Sequence, residues 1–578
     1  MSAPRTLVEA TLRAAELAPS RVLYTFLGDG EHATETLTCG QIAELGRVIA
    51  ASLSATCAPG DRALLVYRPG LAFITAFYGC MLAGVVAVPC YPPDPSRLLR
   101  TLPRLAGIVR DARPAAMLTT GDLAAMLPAL IPHAPELAAL SVIATDTVDP
   151  SLGEAWSPPA LSGESVALVQ YTSGSTATPR GVVLTHDNLV SNAHAIAVAF
   201  GVGETRGVSW LPVYHYMGLI GHVVVTMLHL VPNVFMSPLS FLARPMRWLH
   251  AISAHRATAS GGPNFAYDLC VRRYSEVAAE GLDLSSWTVA YNGAEPIRAE
   301  TLRRFAERFE RHGFRASAFH PCYGLAEASL MVTGGVTAGE PTVETVSASE
   351  LRAGRASRTS NLAAPGGIRQ IVGCGRPVIG TTVRIVDPDT CLELSDGAVG
   401  EIWVQSPSVA RQYLGDRARS LASFGGKLEG ASDSPAHLRT GDLGYVRDGE
   451  LFVVGRAKDV VIVRGMNLHA ADLEMTVEGA HRAVRAGGVA AFAWLARDEE
   501  GPGVVAEIHH DDGEDLEPIA CAIRASIAQA HQVEIVELAL VRHGVVPRTS
   551  SGKLMRAACR DALHAGTLPT RLRWSPTT

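Results

Sequence analysis

The sequence predicts an α/β protein in two unequal parts. A large N-terminal domain over 1–454 holds parallel or mixed sheets sandwiched by helices, and a small α+β C-terminal domain spans 455–578. Three observations carry this. From about residue 60 to 330, short β-rich apolar runs (RALLVY, GVVAVP, SVALVQY, VSWLPV, TVAYNGAEP) alternate with helical patterns, an order that builds parallel sheets covered by helices on both faces. From 377 to 454 the pattern turns to short strands and tight turns (TTVRIVDPDT, GEIWVQS, GELFVVG), which suggests a small β-barrel or distorted sheet. The segment after Gly455 has strands and helices of its own, and its roughly 120 residues suffice for a compact unit.

Composition narrows the function. At 578 residues the chain is too long for one ordinary domain, and 48% hydrophobic with 18% charged residues describes a globular enzyme-sized protein. A net charge of −6 without any basic run argues against nucleic acid as a partner. The ten cysteines stand singly with no C-x-x-C pair, which fits reduced thiols in a cytoplasm better than disulfides or zinc. The N-terminal stretch lacks a signal-peptide core. LAFITAFYGCMLAGVVAVPCY (71–91) is apolar enough to raise a membrane span, but its glycines and β-rich ending read as a buried helix running into a buried strand; no stable membrane insertion is expected. Residues 335–376 are small, polar and glycine-rich, an inserted surface element, and SFGGKLEGASDSPAH (423–437) reads as an exposed loop.

Five stretches carry chemistry. YTSGSTATPRGVVLTH (171–186) follows a strand with Thr172, Ser173, Gly174, Ser175 and Thr176; hydroxyls and successive N–H groups in a glycine-permissive turn make an anion site. It lacks the Gly-Lys-Ser/Thr ending of the P-loop. YNGAEP (291–296) lies at a strand's carboxyl end, where open α/β sheets bind ligands. FHPCYGLAEASL (319–330) sets Tyr323 four residues before Glu327, and RTGDLGYVRDGELFVVGRAKDVVIVRG (439–465) holds Asp442 in a turn, then Arg456 and Lys458. PRTSSGKLMR (547–556) supplies Lys553. Taken singly, each has an ordinary structural explanation as a turn, a cap or a surface charge. Lysine content adds weight: of 50 basic residues only Lys427, Lys458 and Lys553 are lysine, and a retained ammonium is a point charge that a planar guanidinium does not replace.

In this order and spacing, YTSGSTATPRGV, YNGAEP, YGLAEASL, RTGDLG, GRAKDVVIVRGMN and PRTSSGKLMR resemble the motifs of the adenylate-forming superfamily, over nearly the whole chain. LPVYHYMGLIG (211–221), SGGPNFAYDLCVRR (260–273) and the inserted element make it most similar to the fatty acyl-AMP ligases. The resemblance implies that ATP and Mg²⁺ activate a medium- or long-chain fatty acid to acyl-AMP and pyrophosphate. The acyl group then passes to the phosphopantetheine thiol of an acyl carrier protein. A cytoplasmic monomer is expected.

The same resemblance implies the roles. Residues 172–176 hold the β- and γ-phosphates. Glu327, with Thr176, serves Mg²⁺. Gly293, Ala294 and Glu295 pass beside adenine, which Tyr323 and Gly324 flank. Asp442 takes the ribose hydroxyls, and Arg456 lies near ribose and phosphates. Lys553 is the catalytic ammonium, and Lys458 the hinge of a mobile C-terminal domain. His215, Tyr216, Met217, Gly218, Phe265 and Tyr267 shape an acyl tunnel, in which each buried methylene contributes about 0.8 kcal/mol. Ala177 and Arg180 stand where the family usually has glycine and lysine, and Tyr216 where these ligases usually have aspartate. Arg542, Arg548, Arg556, Arg560, Arg571 and Arg573 give the C-terminal part a basic bias toward an acidic carrier. An acyl-CoA synthetase and a non-catalytic acyl or nucleotide sensor are the alternatives.

Overall fold

The computed structural model describes all residues except 1–3, 94–97, 173–178, 336–338, 362–366, 431–434, 464–465, 497–498, 510–514, 550–551 and 577–578. Two seven-stranded sheets form the body. One runs in spatial order Phe319–Pro321, Val289–Asn292, Ala259–Gly262, Gly207–Ser209, Asn233–Met236, Val22–Leu27 and Ala33–Thr38. It is parallel except for the last pair. The other runs Gln412–Tyr413, Arg180–Thr185, Val166–Thr172, Val86–Cys90, Arg62–Val66, Ala116–Thr119 and Ser141–Ala144, antiparallel over its first three strands and parallel beyond.

The helix Ala72–Ala83 is buried at every position from Phe73 to Ala83, in a core shared with residues of both sheets. This is the stretch whose hydropathy resembles a membrane span. Twelve residues fall short of the ~20 a span needs, and the helix stops at Gly84, whose left-handed φ of 69° lets its N–H close onto Cys80 and Met81 before the strand Val86–Cys90 begins. No helix among the described residues is long and apolar enough to cross a membrane. The helix crosses Cys39–Ser54 at glycines: a Cβ on Gly79 would lie 2.5 Å from Ile49 Cγ2, and one on Gly46 2.8 Å from Leu82 Cδ1.

Period-two alternation divides the faces of the first sheet. Ser260 bonds to Trp248 Nε1 on one side, where Tyr267, Trp287 and Phe305 pack ring to ring. Its neighbours Gly261 and Tyr291, paired in register, face the other way, toward His222.

The short strands beyond 377 form a four-stranded antiparallel sheet: Thr382–Val386, Gly400–Gln405, Leu438–Arg447 and Glu450–Arg456. In the inserted stretch, Val343–Ser347 pairs with Ile368–Val372. Glu344 fastens that hairpin to the sheet, accepting from Tyr445 Oη at 2.8 Å, Arg447 at 2.5 Å and Arg358 at 2.5 Å. After residue 455, a hairpin (Val460–Val463 with Met466–His469) leads to a sheet of Val484–Ala496, Glu499–Ile508, Glu537–Arg542 and Thr570–Trp574, packed on Ala470–Ala480 and Glu517–His531.

The glycine crossing gives a direct test. Gly79→Leu forces the two central helices apart and costs about 1–3 kcal/mol, read as a lower urea midpoint. Gly203→Ala, with nothing within 4 Å of the added carbon, leaves the midpoint unchanged.

Candidate active site

The parallel strands of the first sheet end together, and the loops beyond their carboxyl ends meet the four-stranded sheet. Strand Val289–Asn292 runs into Gly293 and Ala294, and Phe319–Pro321 runs into Tyr323 and Gly324. Both turns are tight. Ala294 adopts φ +70°, a left-handed conformation that a side chain disfavours. A Cβ on Gly324 would lie 1.7 Å from the Leu330 carbonyl oxygen, so only glycine fits there.

Asp442 joins three elements. Tyr323 Oη donates to its Oδ2 at 2.8 Å and Arg456 Nε to its Oδ1 at 2.9 Å. The carboxylate is 6% exposed, so these charge-assisted bonds act with little screening by water. The structure places Asp442 within the strand Leu438–Arg447 rather than in a turn; Gly441, at φ +71°, bends that strand just before it. Beside Asp442, burial and then the charge of Asp442 push the Tyr323 phenol well above its ordinary value, so it stays a neutral donor.

A second carboxylate, Glu327, lies on the short turn Ala326–Ala328 and accepts from Tyr413 Oη at 2.9 Å. Tyr413 is a site residue that the motifs did not point to: it sits on the edge strand Gln412–Tyr413, distant in sequence from every one of them. Arg180 lies within electrostatic reach of Tyr413 and of Lys458. Desolvation first, then the guanidinium groups of Arg456 and Arg180, hold the Lys458 ammonium below its ordinary value. Arg180, Arg456 and Lys458 thus concentrate positive charge beside Glu327 and Asp442, an arrangement suited to a polyanion. Thr172 ends its strand opposite Arg180; Ser173, Gly174, Ser175 and Thr176 lie outside the described residues.

Lys553 arrives from the C-terminal part. Thr549 and Lys553 close its loop, through Thr549 N–H to the Lys553 carbonyl at 2.8 Å and Lys553 N–H to Thr549 Oγ1 at 3.1 Å. Its Nζ lies 6.0 Å from the centre of the Tyr216 ring, a cation–π distance. Burial and then the nearby Lys553 charge lower His215 to about 3, so that imidazole stays neutral; its Nδ1 accepts from Met217 N–H at 3.3 Å. Glu295 does not turn toward the Ala294 loop. Its Oε1 accepts from Phe265 N–H at 2.6 Å, and burial raises its carboxyl against the opposing pull of Phe265 N–H and Lys553.

Ion pairs hold the C-terminal part in this position. Arg298 reaches Glu478 at 2.7 Å and Arg369, from the inserted hairpin, reaches Asp472 at 3.0 Å. Arg556 binds Asp459 at 2.8 Å and Glu474 at 2.7 Å. Several of the arginines expected to form a basic face have partners within the chain. Arg556 is spent on Asp459 and Glu474, Arg548 on the Gly552 and Gly487 carbonyls, Arg573 on Glu537 and Arg560 on Asp561.

Between Lys553 and the first sheet opens an apolar pocket of about 910 Å³, its mouth included. Tyr216, Met217, Ala294, Tyr323 and Gly324 line it, with Phe200, Val225 and Leu330 deeper in. Other residues expected there stand elsewhere. Tyr267 belongs to the aromatic core on the opposite face of the sheet, its Oη donating to the Tyr291 carbonyl at 2.8 Å. Phe265 packs on Trp210 and beside Gly552. Gly218 is closed against the Pro212 carbonyl. All three are on helices, Asn264–Arg272 and Tyr216–Gly218, and the way each helix packs on the sheet decides which of its residues reach the pocket.

Comparison with known proteins agrees with this geometry. The AMP-binding enzyme family matches residues 12–414. A medium-chain-fatty-acid–[acyl-carrier-protein] ligase of Moorena producens is 39% identical over 98% of this chain and 97% of its own. A long-chain-fatty-acid–AMP ligase of Mycolicibacterium smegmatis is 35% identical over 96% and 94%. The crystal structure of a fatty acyl-adenylate ligase from L. pneumophila, in complex with acyl adenylate and pyrophosphate, superposes with a TM-score of 0.75 at 36% identity, over 99% of this chain and 98% of that one. With its strand-end loops, its Asp442 node and these matches along nearly its whole length, the chain belongs to the AMP-binding enzyme family.

Proposed function

We infer that the chain is a fatty acyl-AMP ligase: it activates a medium- or long-chain fatty acid with ATP and hands the acyl group to the phosphopantetheine thiol of an acyl carrier protein. One observation supports this most. The apolar pocket opens between the Lys553 ammonium, over Tyr216, and the Tyr323–Asp442–Arg456 node. A carboxylate whose alkyl chain fills the pocket therefore emerges beside a positive charge and the polar Tyr323–Asp442–Arg456 node.

In the first step a carboxylate oxygen attacks the α-phosphorus of ATP. A C–O–P anhydride bond forms, and the bond to the bridging oxygen breaks, its electrons leaving with pyrophosphate. Two anions must approach in line, so positioning and charge neutralisation supply most of the acceleration. Lys553 neutralises the carboxylate and the α-phosphate together. Asp442 retains lone pairs beyond its bonds to Tyr323 and Arg456, and these accept the ribose hydroxyls. Arg180, Arg456 and Lys458 balance the phosphates. In the second step the thiolate sulfur attacks the acyl carbon, and AMP departs with the anhydride electrons.

Glu327 fits a role toward Mg²⁺. Tyr413 fixes one of its oxygens and leaves the other to bind, and among the described residues no cluster of three metal-ligating side chains exists. A lone carboxylate suits an ion held chiefly by phosphate oxygens and water. When bound, Mg²⁺ offsets charge on the phosphates.

Three measurements test this reading. Lys553→Ala lowers pyrophosphate release with a fatty acid and ATP by about 10²–10³-fold, and Lys553→Arg does not restore it, because a planar guanidinium cannot sit between the two anions. Asp442→Asn raises the KM for ATP by about tenfold while leaving that for the acid nearly unchanged; Tyr323→Phe has a smaller effect in the same direction. With wild-type protein, acyl transfer to a holo carrier protein exceeds transfer to coenzyme A. Efficient acyl-CoA formation would instead identify an acyl-CoA synthetase.

A further inference from the structure

The far end of the acyl pocket is polar. His222, Asn233, Tyr291 and Thr226 all face it, and none of them takes part in the chemistry at the mouth. Register locates them. Asn233, Gly207 and Ala259 pair across the amino ends of their strands, level with Val289. Gly293 lies four residues further along, about 13 Å at ~3.3 Å per residue. The polar groups thus sit where the tail of a medium-length acyl chain arrives.

The cluster is built, and it is incomplete. His222 lies in a π-helical turn, Leu219–Val224, between Tyr216–Gly218 and Val225–His229; such turns shift the face a helix presents and recur at functional sites. Its Nε2 is 2.5 Å from Tyr291 Oη and its Nδ1 2.7 Å from Asn233 Nδ2. Burial lowers the ring to about 4, so it is neutral and carries a single N–H. With Asn233 donating to Nδ1, that N–H lies on Nε2 and points at Tyr291, which leaves the phenol proton without an acceptor among the described residues. Asn233 is 4% exposed, and its Oδ1 has no hydrogen-bond partner among the described residues. Its nitrogen is placed within reach of His222 Nδ1 at 2.7 Å and Thr226 Oγ1 at 3.4 Å, so the oxygen is the unmatched atom of the amide. Two glycines make the room: a Cβ on Gly207 would lie 2.7 Å from Asn233 Nδ2, and one on Gly261 2.6 Å from the Tyr291 ring.

An apolar chain end would leave this amide permanently unsatisfied, which buried polar groups avoid. A tail carboxylate would meet no cation, since no lysine or arginine lines the pocket. A hydroxyl both donates and accepts, and so supplies a donor to the amide oxygen and an acceptor to the phenol. We propose that the acid this chain activates carries a hydroxyl at or next to the tail end of its chain, recognised by Asn233 with the His222–Tyr291 pair. The proposal rests on the reading of this pocket as the acyl site.

The test uses the full-length protein and initial rates of pyrophosphate release. Straight-chain medium-length acids of increasing length are compared in pairs, with and without a terminal hydroxyl, alongside tail methyl ketones as acceptor-only controls. At one chain length the hydroxy acid exceeds the plain acid in kcat/KM by about tenfold or more. Asn233→Leu and, separately, His222→Phe then remove that preference while plain acids are still activated, which also shows that the variants fold. A plain acid equal or superior at every length in the wild type overturns the proposal, whatever the variants do, since the amide is then matched by water. A methyl ketone favoured over the hydroxy acid also overturns it in favour of an oxo acid. Pyrophosphate release with none of the acids would overturn the adenylation reading itself.

Discussion

The buried carboxylate of Asp442 is the tie on which the site depends. Its two oxygens receive the Tyr323 hydroxyl, from the loop closing the first sheet, and the Arg456 guanidinium, at the end of the strand Glu450–Arg456. One side chain thereby sets three elements against one another: the parallel sheet that ends at the pocket, the four-stranded sheet that bears Asp442, and the chain's exit toward Lys458 and the C-terminal part. Hydrogen bonds to an ionised group in a site largely closed to water are strong and directional. They therefore fix geometry as well as contribute energy.

From that junction the position of Lys553 follows. Arg556, three residues after Lys553, binds Asp459, three residues after Arg456. Arg298–Glu478 and Arg369–Asp472 add lateral restraint. The ammonium is thus carried to Tyr216 by a chain of ion pairs, few of them deeply buried. Arg298–Glu478 and Arg369–Asp472 join the two parts, and the Arg556 pairs brace the C-terminal part from within. The arginine enrichment of the chain serves this arrangement, since bidentate guanidinium groups position carboxylates better than flexible ammonium groups do. Two of the three lysines, Lys458 and Lys553, lie at the candidate site.

The pocket shows the same division of labour along its length. At the mouth, Ala294 accepts backbone strain and Gly324 a near-contact with Leu330, which keeps the loops close enough to clasp a nucleotide. In the middle, apolar side chains reward each methylene they cover. At the far end, the π turn at Leu219–Val224 brings His222 to Tyr291 and Asn233. Strained loops, apolar walls and a polar cluster thus all line one cavity.

The sequence by itself determined the α/β class, the alternation of strand and helix, the reading of residues 71–91 as a helix running into a strand, and the motifs that assign the chain to its family. These depend on local periodicity, on glycine and proline at turns, and on short runs whose residue types the chemistry requires. Tertiary structure decided the rest, because it depends on which face or edge a residue meets. Tyr267 and Tyr291 look alike in sequence; a helix packed on one face of the sheet holds the first in the aromatic core, and the strand Val289–Asn292 turns the second to the other face and the pocket. Tyr413 reached Glu327 through an edge strand more than eighty positions away, and Asp442 proved to lie in a strand bent at Gly441. The C-terminal arginines read as a basic surface until their carboxylate and carbonyl partners appeared. YTSGSTATPRG reads from composition alone as an anion-binding turn or a plain turn between strands, and the structure was needed to set Arg180 within electrostatic reach of Tyr413 and Lys458.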